Sequence, residues 1–280
     1  MTDLIAAALL VCSALFFSLH RLVIQQSRDR LALLAGFNAI SIGVGLALTP
    51  FVAPLPLAAV PYLLASAVFY SLAMMFVTAG YRHADFGAIT PLQSAIKIVM
   101  IAWLAALFLD EPSSLGDWIA AGLVVISYIV QIVPTRQRIR VAGPFGLLAL
   151  AAGLCSGLQY VADVAGIRQT VDPLPYIVWN LTIGWPVVLY GLFTRRRDMY
   201  LEFRLQRQRI LIAAALDIVG YSLILLVVYQ LAVLSILPLL NLDIVFSALI
   251  GAFILHEARA GHRLIAAALL LTAALISQLY

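Results

Sequence analysis

Long apolar stretches follow one another along almost the whole chain, and short polar segments separate them. A run of about 20 apolar residues is long enough to cross a bilayer as a helix. The sequence therefore predicts ten transmembrane spans: 4–24, 31–51, 58–79, 86–109, 114–133, 143–167, 173–193, 209–231, 233–255 and 262–279. The connection between the eighth and ninth spans is so short that we expect these two helices to form a tight hairpin.

The composition agrees with this pattern. Hydrophobic residues make up 64% of the 280 positions and charged residues only 11%, whereas a soluble domain averages about 25% charged residues. We predict an all-α, multi-pass integral protein of the cell inner (cytoplasmic) membrane. The net charge of +4 does not indicate a nucleic-acid partner, because the arginines occur in short loops. Cys12 and Cys155 lie inside apolar stretches, which favours buried thiols over a disulfide.

Polar residues of the first five spans recur in the same order in the last five. The matched positions are Cys12-Ser13 with Cys155-Ser156, His20 with Asp163, Asn38 with Asn180, Ser66 with Asp217, Tyr70 with Tyr221, Lys97 with Asp243, and Gln131 with Gln278. Collinear matches in all five pairs of spans indicate a duplication, with one unit at 1–135 and the other at 141–280. Five is an odd number, so the second unit crosses the membrane in the opposite sense. Secondary transporters with such inverted repeats bind their substrates near the midplane.

The distribution of positive charge predicts the orientation. Of the 17 lysines and arginines, 15 fall in or beside the loops after spans 1, 3, 5, 7 and 9, Arg168 lies on the other side, and Lys97 lies within a span. Positive loops stay in the cytoplasm, so these five loops are predicted to be cytoplasmic and both termini to face outward. The segment 194–209 has two interpretations: a short basic helix on anionic lipid headgroups, or a solvated loop, which we favour.

Two segments of the chain resemble a known family. AGYRHADFGAITPLQSAIKIVMIAWLAALFLDE at 79–111 and VYQLAVLSILPLLNLDIVFSALIGAFILHE at 228–257 each combine a short linker, an early proline (Pro91, Pro238) and a leucine-x-glutamate ending (Glu111, Glu257). Both are similar to the EamA-like members of the drug/metabolite transporter superfamily. The resemblance implies two inverted five-helix repeats around a central cavity, and a transporter of small metabolites. It leaves the substrate open.

Two charges near the bilayer centre are the first candidates for a site. Lys97 lies fourteen residues before Glu111, and Asp243 lies fourteen before Glu257, so the repeat places them at matching depth. A lone charge at this depth costs at least about 2.5–3.5 kcal/mol, so each is expected to find a partner inside the protein. The two are natural partners for each other. Such a pair is either a central substrate site, which we favour, or a structural bridge between the halves.

Other polar and aromatic residues within the spans complete the candidate site. Candidates for substrate binding, beside the charge pair, are Gln93, Asn241, Tyr70, Tyr221, Trp103 and Trp179. Candidates for proton coupling are Asp217, Asp163 and His20, whose imidazole titrates near neutral pH when unperturbed. Each also has a simpler interpretation. Polar side chains within spans join helices to one another, aromatic side chains fill cores, and a histidine near a helix end is often interfacial.

These observations favour one function over another. The chain carries no catalytic, phosphate-binding or metal-binding motif, so we predict no enzyme activity and no cofactor or metal. The favoured function is secondary active transport of a small polar organic metabolite, amino-acid-like or nucleobase- or amine-like, by alternating access, with export coupled to proton antiport. The alternative is a non-transporting binding or regulatory protein in which Lys97 and Asp243 form a structural bridge. The expected partners are this small molecule, the lipid bilayer and protons, with the protein a monomer or homodimer.

Overall fold

The computed structural model describes residues 3–25, 29–80, 86–109, 114–132, 144–250 and 260–279. This part of the chain is helical between short connections and contains no strand. Within it, seven helices are long and apolar enough to cross a membrane, and three shorter apolar helices cover Leu115–Gln131, Val233–Leu249 and Leu264–Ser277. The protein is therefore a multi-pass helical membrane protein. Glu111, Glu257 and the predicted boundary between the two units lie outside the described residues.

Eleven α-helices and one 3-10 turn (Thr49–Phe51) make up the described structure. The helices are α1 (Asp3–Gln25), α2 (Arg30–Leu48), α3 (Val60–Gly80), α4 (Phe86–Phe108), α5 (Leu115–Ile132), α6 (Pro144–Ile167), α7 (Pro173–Asn180), α8 (Trp185–Val228), α9 (Val233–Leu240), α10 (Asp243–Leu249) and α11 (Ala260–Leu279). Asp29 caps α2 by accepting bonds from the amides of Leu31 and Ala32. Asp172 caps α7 in the same way, ahead of a proline that begins the helix.

Three predicted elements differ from the structure. The seventh span is interrupted after Asn180 and resumes at Trp185, and the ninth is interrupted at Asn241 and Leu242. The segment 194–209 is part of α8 rather than an irregular loop, with non-helical backbone angles only at Arg195 and Gln206. At the interruption before α8, the Asn38 side chain packs so close to Gly184 that an added Cβ would overlap it.

Close helix packing surrounds α6. This helix packs against α3 and α4, while α1 packs against α8, α9 and α10, and α5 packs against α11. Gly153 and Gly157 lie one turn apart on α6 and let the α4 backbone approach, since a Cβ at Gly157 would lie 2.5 Å from the Met100 Cβ. Small residues four apart are a common means of close helix packing in membranes.

Gly153→Ala tests this close approach. The added Cβ would lie 2.6 Å from the Ile96 Cβ and 2.8 Å from the Gln93 carbonyl oxygen, so α4 must move. We expect the free energy of unfolding in detergent to fall by about 1–3 kcal/mol. Gly122→Ala is the matched control, because no atom lies within 4 Å of the added Cβ. It should leave stability unchanged or raise it by up to about 1 kcal/mol, and equal losses from both changes would contradict the packing argument.

Candidate functional site

A polar cavity of about 230 Å³ lies inside the helix bundle. Its polar lining consists of His20, Arg21, Arg30, Tyr70, Thr78, Gln93, Ser94, Lys97, Ser156, Gln159, Tyr160, Asp217 and Tyr221. These residues come from the last turns of α1 and α3, the first turns of α2 and α4, and the middle of α6 and α8. The cavity therefore extends from mid-bundle toward the end where α1 and α3 finish, which also holds Arg30 and the 195–209 segment. We call it the arginine-rich end.

Two opposite charges line this cavity. The Lys97 ammonium lies 5.7 Å from the centre of the Tyr160 ring, within the range of a cation–π interaction. Asp217 lies on α8, one turn before Tyr221. Within the described part of the chain, neither side chain forms an ion pair within 4.0 Å. A cation and a carboxylate that are held apart in one cavity can bind oppositely charged groups of a ligand.

His20 adds an unsatisfied polar atom to the cavity wall. Its ring is buried and packs edge-on against Phe37, with ring centres 5.1 Å apart. The Nε2 atom makes no hydrogen bond to any described residue. A buried polar atom without a partner costs about 1–3 kcal/mol, and a ligand or water in the cavity would supply that partner.

The partner of Asp243 differs from the sequence prediction. Asp243 is buried, with 3% of its surface exposed, and its Oδ2 lies 2.5 Å from Nη1 of Arg21. Among the described residues the direct Lys97–Asp243 pair is absent, although the two charges lie close enough to interact electrostatically. Arg21 lies near the end of the first predicted span, and α1, which runs to Gln25, places it against Asp243. Asp243 therefore neutralises Arg21, a cation of the cavity wall, although Asp243 itself does not line the cavity.

Asp163 is the centre of a second buried cluster. Its Oδ1 accepts hydrogen bonds from the Tyr176 hydroxyl (3.1 Å) and the Asn180 amide (2.7 Å). Its Oδ2 accepts from the Tyr221 hydroxyl (2.6 Å) and the Gln159 amide (3.1 Å). A carboxylate has about four acceptor sites, and four donors occupy them here. The geometry suits a structural anion, and Asp217 is the better candidate for a proton carrier.

The remaining predicted residues divide between the cavity and the rest of the bundle. Gln93 lines the cavity and donates to the Ser156 hydroxyl at 2.8 Å. Tyr70 also lines it and donates to Asn38 at 3.0 Å. Asn241 is buried away from the cavity and accepts a hydrogen bond from Tyr128 at 3.0 Å.

The structure does not bring the two predicted tryptophans to the cavity. Trp103 is 55% exposed on the outer surface of α4, where a membrane protein meets lipid. Trp179 packs against the main apolar core of the bundle. Neither indole lines the cavity. An aromatic side chain within a span can face lipid, core or cavity, and residue type alone does not separate the three.

Sequence reasoning missed several cavity residues. Arg21 and Arg30 were counted only as loop charges, because they lie at the edges of their apolar runs. Gln159 was also overlooked, although a glutamine inside a span is a usable signal, and it lies one turn before Asp163 on the same helix face. It contacts both the Tyr221 hydroxyl and the Asp163 carboxylate.

Comparison with known proteins shows a similarity of fold. No protein-family model matches the sequence, and no curated protein matches it. Among solved structures, 25 chains match. One of them, a crystal structure of a protein, superposes with a TM-score of 0.76 and 16% sequence identity. The match covers 99% of this chain and 98% of the other chain. At that identity the similarity is one of fold alone.

Proposed function

We propose that this chain is a secondary active transporter that moves a small polar organic metabolite across the cytoplasmic membrane by alternating access. The observation that carries the proposal is the polar cavity, which holds Lys97 and Asp217 among helices apolar enough to cross a membrane. Intramembrane ionisable residues usually mark substrate or ion pathways. A volume of about 230 Å³ holds roughly seven or eight water molecules at about 30 Å³ each, which fits an amino acid, a nucleobase or a small amine.

The helix packing supports the inverted repeat that belongs to this proposal. The matched spans place α1 opposite α6, α3 opposite the later part of α8, and α4 opposite α9 and α10. The packing of α6 on α3 and α4 then corresponds to the packing of α1 on α8, α9 and α10, and both sets of contacts are present. On this basis we also propose the EamA-like family, with repeats at 1–135 and 141–280.

The two ends of the bundle differ in a way that suits alternating access. The end opposite the arginine-rich end is tied together where α6 and α8 finish. The Arg168 guanidinium donates to the carbonyls of Val228 and Leu231, and the Tyr229 hydroxyl donates to the carbonyl of Val171. We interpret this state as closed at that end, with the cavity reached from the arginine-rich end. That end is the one predicted to be cytoplasmic, which agrees with export.

Two side chains connect the cavity with the closed end of the bundle, because they line the cavity and also bond to Asp163. Tyr221 and Gln159 line the cavity and both donate to Asp163. A ligand that draws either side chain away would weaken the buried cluster. Asp217 lies on the same helix as Tyr221, and exchange of a proton at its carboxyl would change the charge that the ligand meets. These contacts give the proposed proton antiport a physical route from ligand to closure.

Flux through reconstituted protein tests the proposed function. Purified full-length protein in liposomes, with an imposed pH gradient, should move at least one labelled amino acid, nucleobase or amine. Lys97→Met should lower that rate roughly a hundredfold, as loss of a buried charge contact does. Asp217→Asn should remove the dependence on the pH gradient. Trp103→Phe is the control, because its outward-facing ring predicts no change. Undiminished flux from Lys97→Met would reject the central-site proposal.

A second candidate function is ligand binding without transport. The observation in its favour is the ion pair between the partly exposed Arg21 and the buried Asp243, which joins α1 of the first half to α10 of the second. A pair of this kind can hold two halves in one arrangement. Thermal stabilisation by a ligand, without flux of that ligand in liposomes, would favour this function, whereas coupled flux would exclude it.

A further inference from the structure

The segment between the two kinks of α8 reverses the direction of the chain. Val187 and Ile210 belong to one apolar cluster around the start of α2, although 23 residues separate them. A straight helix would place them about 35 Å apart at 1.5 Å per residue. The non-helical angles at Arg195 and Gln206 allow the return. Residues 196–205, which we call the turn helix, therefore project from the arginine-rich end between two membrane-crossing legs.

Two contacts fix the turn helix to the bundle. The Arg195 guanidinium lies 3.0 Å from Oδ2 of Asp29, whose other oxygen caps α2. The Met199 side chain covers Gly191, where an added Cβ would lie 2.5 Å from its sulfur. The turn helix is thus held against the protein on its Met199 side.

The rest of its surface combines exposed aromatic rings with arginines. Tyr200 is 66% exposed and Phe203 is 48% exposed. At about 100° per residue, these two rings and Arg196, Arg197 and Arg204 share an arc of about 120° beside Met199. The three arginines are exposed and make no hydrogen bond or ion pair with the described residues. The 195–209 segment contains six arginines against Asp198 and Glu202, a net charge of +4.

We propose that the turn helix binds the anionic lipid headgroups of the membrane that the protein spans. Guanidinium groups form paired hydrogen bonds with phosphate oxygens, and aromatic rings at this level favour the headgroup boundary. If only water surrounded this helix, the apolar side chains of Tyr200, Phe203 and Leu205 would be exposed to it and make no favourable contact. Because Arg195 ties this helix to Asp29 at the start of α2, bound lipid also steadies the helix that carries Arg30 and Phe37 into the cavity wall.

Lipid titration tests the proposal on the full chain. Short-chain phosphatidylglycerol and phosphatidylcholine are added separately to protein in a non-ionic detergent, and bound lipid is measured by native mass spectrometry. We expect phosphatidylglycerol to bind about a hundredfold more tightly, and the difference to shrink at high salt. An arginine near an anionic surface is worth about fivefold in affinity. The triple variant Arg196→Gln, Arg197→Gln, Arg204→Gln should therefore lose about a hundredfold, which reduces phosphatidylglycerol to the level of phosphatidylcholine.

A second triple variant controls for net charge. Arg136→Gln, Arg138→Gln and Arg140→Gln remove the same charge from the connection between the two proposed repeats. This variant should keep the preference for phosphatidylglycerol. An equal loss in both variants would show general attraction by positive loops and overturn the proposal, as would equal binding of the two lipids to the wild-type protein. If the first variant does not fold, Arg204→Gln alone should lose about fivefold, and no loss there would also overturn it.

Discussion

Arg21→Met is expected to lower the free energy of unfolding by about 3–5 kcal/mol. The change removes the cation that faces Asp243 and leaves a buried carboxylate without its ion pair. Removal of one partner of a buried pair usually costs this much, because the remaining charge stays out of water. Chemical unfolding of the purified protein in detergent, followed by circular dichroism, measures the loss.

A pair of double-mutant cycles identifies the true partner of Asp243. Asp243→Leu is combined with Arg21→Met in one cycle and with Lys97→Met in the other. The first double variant should recover much of the stability that either single change loses, because no unpaired charge remains. The second should recover less, since Lys97 lies farther from Asp243. A larger coupling energy for Lys97 than for Arg21 would restore the pair expected from the sequence and reject the structural assignment.

Lys97 and Asp243 show what the sequence can and cannot predict about a site. The repeat offset predicted their depth, because position along a helix follows directly from residue count. It did not predict which neighbour each side chain faces, since that depends on how the helices are rotated and packed. Arg21 lies near the end of the first predicted span and reads as one of the positive charges beside the loop, whereas its long side chain reaches inward to Asp243.

The interrupted helices could not be predicted for a related reason. Spans seven and nine are apolar over most of their length, so hydropathy reads them as continuous despite Asn180 in one and Asn241 and Asp243 in the other. At the first break the Asn38 side chain lies against Gly184, a contact between distant parts of the chain that hydropathy does not report. The all-helical class follows from the apolar composition, because a bilayer leaves a chain few alternatives.

Asp163 illustrates the same limit in the candidate site. Asp163, Asn180 and Tyr221 were each recognised as polar residues inside apolar stretches, but as separate candidates. The sequence separates Asp163 from Tyr221 by 58 residues, and only the packing of α6 on α8 brings them together. The four hydrogen bonds distinguish Asp163 from Asp217. In the sequence, both are simply aspartates within apolar stretches.

Asp163→Leu is expected to destabilise the protein by at least about 4 kcal/mol. The leucine fills a similar volume but removes the acceptor of two amide and two hydroxyl donors, and each buried donor without a partner costs about 1–3 kcal/mol. Unfolding in detergent measures the loss. Asp163→Asn should lie between this variant and the wild type, because it keeps one acceptor oxygen.

Asp172→Leu is the matched control for this prediction, since the same chemical change falls nine residues later in the chain. Asp172 is exposed and its carboxylate accepts a capping hydrogen bond from a single amide, that of Leu174, so its loss should cost only about 0.5–2 kcal/mol. The difference in lost stability between the two variants measures what the four hydrogen bonds to Asp163 contribute, separately from the loss of a carboxylate. Equal losses would mean that the four donors find other acceptors when Asp163 is absent. In that case the cluster would not hold the closed end of the bundle together, and the proposed route from cavity to closure would lose its basis.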